Sequence, residues 1–399
     1  MMLDLFTDDT RRNPFSLYAE MRAKAPVLHV PPLDLWMIFD YEGVKRALHD
    51  HDTWSSIVTT QTGPTPDWLV FSDPPRHTLL RNIIQRAFTP RSIANLEPRI
   101  RELSRELVDG VIERGEMDLV KDYAEPLPTM VIAEMIGIPV ADRPRFVRWS
   151  EIILNLSYTM SGGEAATRAV AEHAALKEEM HAYVDDLCTA RKKAPKGDLL
   201  TRLVEAEVDG ERLTGEEILG FFQLLLVAGT ETTTNLLGNT ILSFFEHPDE
   251  LARLEADPAR LLPTTIEEVL RYRTPVSMVF RAAKRDVMIH GQTIPAGKFV
   301  LLLMGSANRD PKQFQDPDTF DVGRDPNPHI AFGHGIHFCL GASLSRLEAK
   351  VAIPDLLSRL RGLAPASDAP WQPRKALHVH GPARLPVRFE PGKQLAVAI

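Results

Sequence analysis

Cysteine is scarce in this sequence, which has only Cys188 and Cys339 among 399 residues. Two thiols form at most one disulfide, so a small disulfide-stapled scaffold is excluded, and Cys188 is interpreted as a buried apolar side chain of a helix. Long apolar runs are also missing, since no segment reaches the roughly 18 uncharged residues that a membrane span needs. The opening MMLDLFTDDTRRNP does not resemble a signal peptide, and we expect a cytoplasmic protein.

Positive charge is in deficit, with 46 Lys and Arg against 54 Asp and Glu and a formal net charge of -8. This balance disfavours a general phosphate-binding surface, so nucleic acid is not an expected partner. The composition is otherwise that of a globular protein, at 44% hydrophobic and 25% charged. Because no repeat, low-complexity tract or Gly/Ser linker divides the chain, we predict one large domain over residues 1–399.

Helical periodicity dominates the hydrophobic pattern. Helices are predicted over residues 14–25, 41–49, 76–87, 92–112, 164–193 and 214–246. Strands are predicted over residues 27–30, 36–39, 287–290, 293–294 and 299–303, the first two as a hairpin and the last three as a second small sheet. Capping boxes are predicted for Thr214 with Glu217 and for Thr264 with Glu267. Residues 305–338 lack periodicity and predict a long, functional, irregular loop that leads to Cys339.

The segment AFGHGIHFCLGASLSRLE, residues 331–348, places Cys339 in an unusual setting. It is framed by Gly333, Gly335 and Gly341, and three glycines at preset offsets occur by chance in about one window in three thousand. A helix is predicted to begin just after the cysteine, and its N-terminal N–H groups and positive dipole end would hold the sulfur as a thiolate.

Several kinds of site use a thiolate. A catalytic nucleophile wants a His base beside the sulfur, and a zinc site wants further cysteines; neither set is convincing here. Haem iron takes a single thiolate from the protein, because the macrocycle supplies the other ligands, and the thiolate pushes electron density toward the iron. Phe332 could shield such a sulfur from water.

The same segment resembles the haem-binding loop of the cytochrome P450 family, whose pattern is Phe-x-x-Gly-x-His/Arg-x-Cys-x-Gly. Phe332, Gly335, His337, Cys339 and Gly341 match it. The resemblance implies heme b (iron protoporphyrin IX) with the Cys339 thiolate as axial ligand. It also implies a soluble bacterial protein with a cytochrome P450-like fold, mainly α with small β-sheets, in which a long central helix crosses the haem.

Glu268 and Arg271 in TTIEEVLRY lie three residues apart on one helix face. Taken alone they could be a surface ion pair worth about 0.3 kcal/mol. In the family such a Glu-x-x-Arg pair is buried behind the haem and locks the irregular loop, so the resemblance implies a structural role. The usual third member is an Arg of that loop; this chain has Thr319 there, and we expect Arg324 to substitute.

Two positively charged or donor side chains, His77 and Arg81, are spaced i and i+4 in DPPRHTLLRNIIQRAFTP and so face one way. Taken alone they could form a solvated helix face. The block resembles the propionate-binding helix of the family, and Arg281 and His337 match its other propionate ligands.

The segment LLLVAGTETTTN, residues 224–235, lies in the middle of the longest predicted helix. Gly229 costs about 1 kcal/mol there relative to Ala, and Glu231 places a charge among apolar neighbours. The segment resembles the oxygen-binding groove of the family, in which Ala228 and Gly229 would adjoin the haem. Glu231 and Thr232 would form the acid and alcohol pair that delivers protons to reduced dioxygen.

The resemblance therefore implies a haem-thiolate monooxygenase that inserts one atom of O2 into an apolar small molecule by hydroxylation or epoxidation. Fatty acid, terpenoid, steroid and polyketide substrates stay open. By the geometry of the family, the pocket draws on the loop of residues 54–71, on residues 276–279 and on the central helix, with Val70, Leu224, Leu225, Ala228, Val276 and Val279 as its apolar contacts. An H2O2-dependent peroxygenase and a non-enzymatic haem-thiolate sensor are the alternatives, although neither requires the Glu231 and Thr232 pair.

Electrons are expected from separate proteins, because the sequence carries no flavin segment and no iron–sulfur cysteine set. By resemblance to bacterial members these are a ferredoxin and its NAD(P)H-dependent reductase. Arg76, Arg86 and Arg346 could line a docking face for an acidic ferredoxin, or could be scattered surface arginines. A monomer without a membrane partner is expected.

Overall fold

The computed structural model describes residues 7–60, 63–64, 68–155 and 163–395. In chain order its helices are α1 (Asp8–Arg12), α2 (Phe15–Lys24), α3 (Tyr41–His49), α4 (Arg76–Ala87), α5 (Pro90–Ala94), α6 (Glu97–Asp109), α7 (Pro126–Ile136), α8 (Arg143–Asn155), α9 (Gly163–Lys193), α10 (Leu199–Glu205), α11 (Gly215–Glu246), α12 (Pro248–Ala256), α13 (Pro258–Tyr272), α14 (Met304–Ala307) and α15 (Ala342–Arg359). No helix of the described residues is long and apolar enough to span a membrane.

The strands are short. They are β1 (Val27–Val30), β2 (Leu35–Ile38), β3 (Trp54–Ser55), β4 (Thr59–Thr60), β5 (Gly63–Pro64), β6 (Glu116–Asp118), β7 (Glu207–Val208), β8 (Glu211–Arg212), β9 (Val279–Ala283), β10 (Val287–Ile289), β11 (Gln292–Ile294), β12 (Phe299–Leu302), β13 (Ala364–Pro365), β14 (Gln372–Pro373), β15 (Pro382–Arg384) and β16 (Pro386–Arg388). The predicted fold class, mainly α with small β-sheets, is confirmed.

Tertiary contacts divide the chain into two compact units. The first unit comprises Met1–Trp54, Leu96–Leu127 and Thr232–Ile399, and the second comprises Ser55–Asn95 and Pro128–Glu231. Helices α7 and α11 each have residues in both units. The single domain over residues 1–399 stays a prediction.

The main sheet belongs to the first unit. The predicted hairpin is confirmed, since β1 pairs antiparallel with β2, Val27 opposite Ile38. The prediction that residues 299–303 join the second sheet is wrong: β12 runs parallel to β2 and antiparallel to β9, while β10 and β11 pair with each other. Val300 and Leu302 of β12 are fully buried, so burial beside a distant strand decided the pairing.

Proline sets two helix starts that the hydrophobic pattern missed. The predicted helix over residues 92–112 is two helices, α5 and α6, because Pro98 occupies the first turn of α6. The predicted capping box of Thr264 with Glu267 is wrong for the same reason. Helix α13 begins at Pro258 behind the cap Asp257, and the Thr264 hydroxyl inside the helix donates to the carbonyl of Val322 at 2.6 Å.

The other predicted capping box is confirmed at the start of the long helix α11. The Glu217 N–H donates to Thr214 Oγ1 at 3.2 Å, and the Thr214 N–H donates to Glu217 Oε2 at 2.8 Å. Both bonds satisfy N–H groups that the first helical turn leaves without a helical partner.

Three buried ionisable side chains of the first unit stay neutral in the folded protein. Burial lowers the pKa of His378 to about 4 and that of His380, with a contribution from Arg273, to about 3. Burial raises the pKa of Glu348 on α15 to about 8, against an opposing effect of the Thr233 hydroxyl. The unfolded chain would ionise these histidines below pH 6.5 and this carboxyl above pH 4.5.

The free energy of unfolding should therefore depend on pH through these groups in opposite directions. Below pH 6.5 an unfolded histidine takes up a proton that the buried His380 cannot bind. The free energy of unfolding of His380→Gln, relative to that of the unsubstituted protein, should therefore rise by about 1.4 kcal/mol for each pH unit as the pH falls from 6.5 toward 4. Glu348→Gln should gain a similar amount for each unit as the pH rises from about 4.5 to 8. Urea unfolding across this range measures both, and differences independent of pH would contradict the assignment.

Candidate active site

The loop before Cys339 is shaped by two left-handed glycines. Gly333 and Gly335 each have φ +73, which a residue with a Cβ rarely adopts. A Cβ on Gly335 would also lie 2.9 Å from the Cα of His49 and from the carbonyl oxygen of Leu48. The loop then closes on itself, because the Cys339 N–H donates to the carbonyl of Phe332 at 2.9 Å. The glycines predicted from the sequence therefore allow the turn that presents the thiol.

The donor set at the end of this loop suits a haem thiolate. Cys339 is exposed, and α15 begins three residues later, behind Gly341 as N-cap. No group of three His, Cys, Asp or Glu side chains that could hold a metal occurs in the part of the chain that the structure describes. A single accessible thiol beside a helix N-terminus fits a metal whose other ligands come from a macrocycle. A Cβ at Gly341 would make only ordinary contact with the Cys339 Sγ, at 3.9 Å, so protein packing does not require that glycine.

Glu268 and Arg271 lie together in the interior of the first unit, each with a side chain 0% exposed. Two hydrogen bonds of 2.8 Å join them, and Arg271 also donates to the carbonyls of Asn308, Pro317 and Thr319 in the irregular loop. Arg324 completes the group with Nε 3.1 Å from Glu268 Oε1. The carboxylate is thus shared by two guanidinium groups, and the pair ties the long loop to α13.

Helix α11 has an accessible strip on an otherwise buried surface. Ala228 is exposed, and Leu224 and Thr232, one helical turn before and after it, are half-buried. Leu225 is buried, like most other side chains between residues 218 and 244. The strip is apolar at one end and has a hydroxyl at the other, which suits a helix that lines a cavity for an apolar molecule.

Thr233 and Thr234 face away from this strip into the first unit. The Thr233 hydroxyl donates to Ser345 Oγ at 3.2 Å, and the Thr234 hydroxyl donates to the carbonyl of Ala124 at 3.1 Å. Both are at most 2% exposed. Glu231 is also buried, at 4% exposure. Three consecutive threonines therefore have distinct surroundings, and Thr232 is the one with an accessible side.

Gly229 has a packing role in the second unit that the sequence interpretation missed. A Cβ at this position would lie 2.7 Å from Cδ1 of Ile132 and 2.8 Å from Cγ1 of the same side chain, on α7. The Ile132 side chain would have to move to admit even alanine. Close packing thus accounts for a glycine inside α11, beside the role in the oxygen groove that the resemblance implies.

The four predicted propionate ligands come from different elements. His77 is buried and Arg81 half-buried on α4 of the second unit. In the first unit, Arg281 is buried on β9 and donates to the carbonyl of Phe280 at 2.6 Å, and His337 lies in the turn Gly335–His337. Their common role stays a prediction.

The predicted substrate contacts likewise come from both units. In the second unit Val70 is 38% exposed beside Trp68, whose indole N–H donates to Gln223 at 3.2 Å. In the first unit Val276 and Val279 are partly buried against the apolar core. Of the loop of residues 54–71, residues 61–62 and 65–67 lie outside the described residues.

The arginines predicted to line a docking face each have a local partner. Arg76 pairs with Glu217, and Arg86 donates to the carbonyl of Glu207 at 2.7 Å, both within the second unit. In the first unit Arg346 holds Glu267 with two hydrogen bonds of 2.7 Å. This last pair was not predicted, because its partners are 79 positions apart and the local pattern favoured a capping role for Glu267.

Comparison with known proteins yields matches over nearly the whole chain. The family described as Cytochrome P450 matches residues 2–385. Cytochrome P450 107B1 of Saccharopolyspora erythraea is 39% identical over 96% of each chain. Vitamin D(3) 25-hydroxylase of Pseudonocardia autotrophica is 38% identical over 97% of this chain and 96% of its own. The crystal structure of CYP109E1 from Bacillus megaterium in complex with corticosterone aligns with a TM-score of 0.88 and 38% identity, covering 96% of this chain and 100% of that one.

Proposed function

We propose a substrate class and an electron supply for this chain, which belongs to the cytochrome P450 family and is a haem-thiolate monooxygenase. When bound, the haem supplies the oxidising chemistry by which the family places one atom of O2 in a substrate and reduces the other to water. The family binds that haem through a cysteine thiolate. Cys339 is the cysteine in the matching loop, and it is exposed there.

The protein's own residues would hold the rest of the cofactor by charge. His77, Arg81, Arg281 and His337 would bind the two propionates, because a dianionic edge is best satisfied by cations and N–H donors. This assignment rests on the resemblance and on the side-chain types. Arg281 lies on β9 at 6% exposure, and a guanidinium has the donor geometry that a carboxylate such as a propionate binds.

Haem retention tests the propionate assignment. Arg81→Ala and Arg281→Ala should each weaken haem binding by about ten- to a hundredfold, because a charge-assisted hydrogen bond contributes about 1.5–3 kcal/mol. Haem transfer to apomyoglobin, followed by absorbance, measures the loss.

Two neighbouring cations serve as controls for this experiment. Arg86→Ala on the same helix as Arg81, and Arg285→Ala four residues beyond Arg281, should retain haem normally. Equal haem loss in the controls, or none in Arg81→Ala and Arg281→Ala, would refute the placement.

Proton delivery is proposed for Glu231 and Thr232 at the end of the accessible strip of α11. The Thr232 hydroxyl can both accept and donate a hydrogen bond, so it can position a water or pass a proton along this strip. Glu231, next to it, is the carboxyl that exchanges the proton. Its burial keeps that exchange away from bulk solvent.

The substrate that we propose is a neutral, apolar, polycyclic molecule of steroid type. The observation that carries this is the strip of α11, where Leu224 and Ala228 offer only apolar surface. The other proposed contacts, Val70, Val276 and Val279, are aliphatic too, so shape rather than charge would select the ligand. Two relatives support this choice, since one is named Vitamin D(3) 25-hydroxylase and another was crystallised with corticosterone. Others are named for different molecules, a methyl-branched lipid and cyclomarin C.

A spectral titration tests this choice. Corticosterone, testosterone and vitamin D3 should give a type I shift, in which the ligand displaces water from the haem, at micromolar concentration. A long-chain fatty acid of comparable apolar area should bind at least about tenfold more weakly, because its ionised carboxylate would lose hydration in an aliphatic pocket. Fatty acids, terpenoids and polyketide macrolides would be screened alongside, and tightest binding of any of these would overturn the steroid proposal.

Electrons would come from a separate ferredoxin and its NAD(P)H-dependent reductase in a bacterial cytoplasm, with the chain acting as a monomer. The family uses redox partners, and this sequence has no second cofactor motif. Turnover with the ferredoxin pair and NAD(P)H should exceed turnover driven by hydrogen peroxide. The reverse ranking would favour the peroxygenase alternative.

A further inference from the structure

A partly buried ionic network contacts the Cys339 loop in the first unit. Glu267 on α13 accepts two hydrogen bonds from Arg346 on α15, Nε to Oε1 and Nη2 to Oε2, each 2.7 Å. The same carboxylate lies 3.0 Å from Nε2 of His329, whose side chain is only 4% exposed. Two cation-forming groups on either side hold the pKa of Glu267 down to about 2, despite its partial burial.

This network contacts Phe332, the aromatic residue of the cysteine loop. The Arg346 guanidinium carbon lies 4.5 Å from the centre of the Phe332 ring, within the range of a cation–π contact. The His329 ring centre lies 6.2 Å from that of Phe332. The Phe332 carbonyl in turn accepts the Cys339 N–H at 2.9 Å. Arg346 is therefore linked to the ligand cysteine through one residue, by ring stacking and a backbone hydrogen bond.

Arg346 also acts on the cysteine through its charge. Its pKa is raised, mainly by the hydrogen bond to Glu267 and further by the charge of the Cys339 thiolate. The other two cations of α15 pair with other carboxylates: Lys350 lies 3.3 Å from Glu97, and Arg359 pairs with Asp109.

We propose that Arg346 is a positioning residue that sets the reduction potential of the haem thiolate, and that Glu267 and His329 fix its place against Phe332. The inference rests on Cys339 being the axial ligand. A cation beside the thiolate favours the reduced cofactor, because reduction adds a negative charge. The negative charge of Glu267 offsets part of that effect, so the potential depends on both side chains.

Variants that remove one charge from this network should shift the reduction potential in opposite directions. Arg346→Gln should lower the ferric/ferrous midpoint potential, with a severalfold smaller equilibrium constant for reduction. Glu267→Gln should raise it, since Arg346 would then act without its counter-charge. The double variant should return toward the unsubstituted value, and Arg346→Lys, which keeps the charge but loses the fork and the stacking, should lie between Arg346→Gln and the unsubstituted protein.

The measurement is a spectroelectrochemical titration of each purified holoprotein, with the reduced carbon monoxide spectrum as a check on the thiolate. Lys350→Gln is the matched control, because it removes one charge from an exposed position of the same helix and should leave the potential unchanged. If both single variants shift the potential the same way, if the double variant is the worst, or if neither single variant shifts it, the inference is wrong. If the unsubstituted protein lacks the thiolate spectrum, the ligand assignment itself fails, and that outcome is separate from these.

Discussion

Replacing Cys339 by Ser abolishes the red-shifted absorption band that the reduced carbon monoxide complex of a haem thiolate shows. A serine hydroxyl is far less acidic than a thiol and cannot supply the thiolate that gives the band. The structure places Cys339 at an exposed position before α15, at the end of a loop that its own backbone closes. Monooxygenase turnover should fall to background with the band.

Cys188 is the natural control for this prediction. It is 6% exposed on α9, and burial raises its pKa, so it stays a protonated apolar side chain. Cys188→Ser should leave the band intact, with at most a modest loss of stability from the buried hydroxyl. Loss of the band in Cys188→Ser and its survival in Cys339→Ser would show that Cys188 is the ligand and that the assignment to Cys339 is wrong.

Thr232→Ala should separate electron use from product formation. Haem, substrate and oxygen binding should not depend on the hydroxyl, so NAD(P)H oxidation should persist. Without the hydroxyl, proton delivery should be slower, and more of the electrons should appear as hydrogen peroxide instead of product. Because a positioned proton donor contributes about 10²–10⁴-fold, product formed per NAD(P)H should fall tenfold or more. Product and peroxide are both measured against NAD(P)H consumed.

The adjacent threonines make this test specific. The hydroxyls of Thr233 and Thr234 form hydrogen bonds with Ser345 and Ala124 in the first unit, away from the accessible strip. Thr233→Ala should therefore stay coupled. Glu231→Gln should slow turnover and raise the solvent isotope effect, with less peroxide than Thr232→Ala, because it limits proton entry rather than the final transfer. If Thr232→Ala stays fully coupled, or if Thr233→Ala uncouples the enzyme equally, the proposed proton delivery by Glu231 and Thr232 is wrong.

The features that could be predicted from the sequence are those that depend on residues close together in the chain. The bounds of α3 and α4, the hairpin of β1 with β2 and the box of Thr214 with Glu217 all follow from periodicity and caps within a few residues. The cysteine loop could be predicted for the same reason, because its glycines and its thiol lie within one short segment. Arg324 could be anticipated only through the resemblance, and it does contact Glu268.

Pairings between distant segments were the part that local patterns could not decide. Residues 299–302 read equally well as a third strand beside β10 and β11, and only burial against β2 places them elsewhere. The local sequence around Glu267 matches a capping box, but the helix begins earlier, at Pro258. The Glu267 carboxylate therefore contacts Arg346 and His329 instead. In each case a contact between residues far apart in the chain overrides a local preference that is worth little by comparison.

The most direct test of the monooxygenase assignment follows one oxygen atom. The purified protein would turn over the steroid that binds best, with ferredoxin, reductase and NAD(P)H, under dioxygen labelled with a heavy isotope. The product should carry one labelled atom from dioxygen and none from water. Product labelled from water, or unlabelled product formed only when hydrogen peroxide is added, would contradict the monooxygenase assignment.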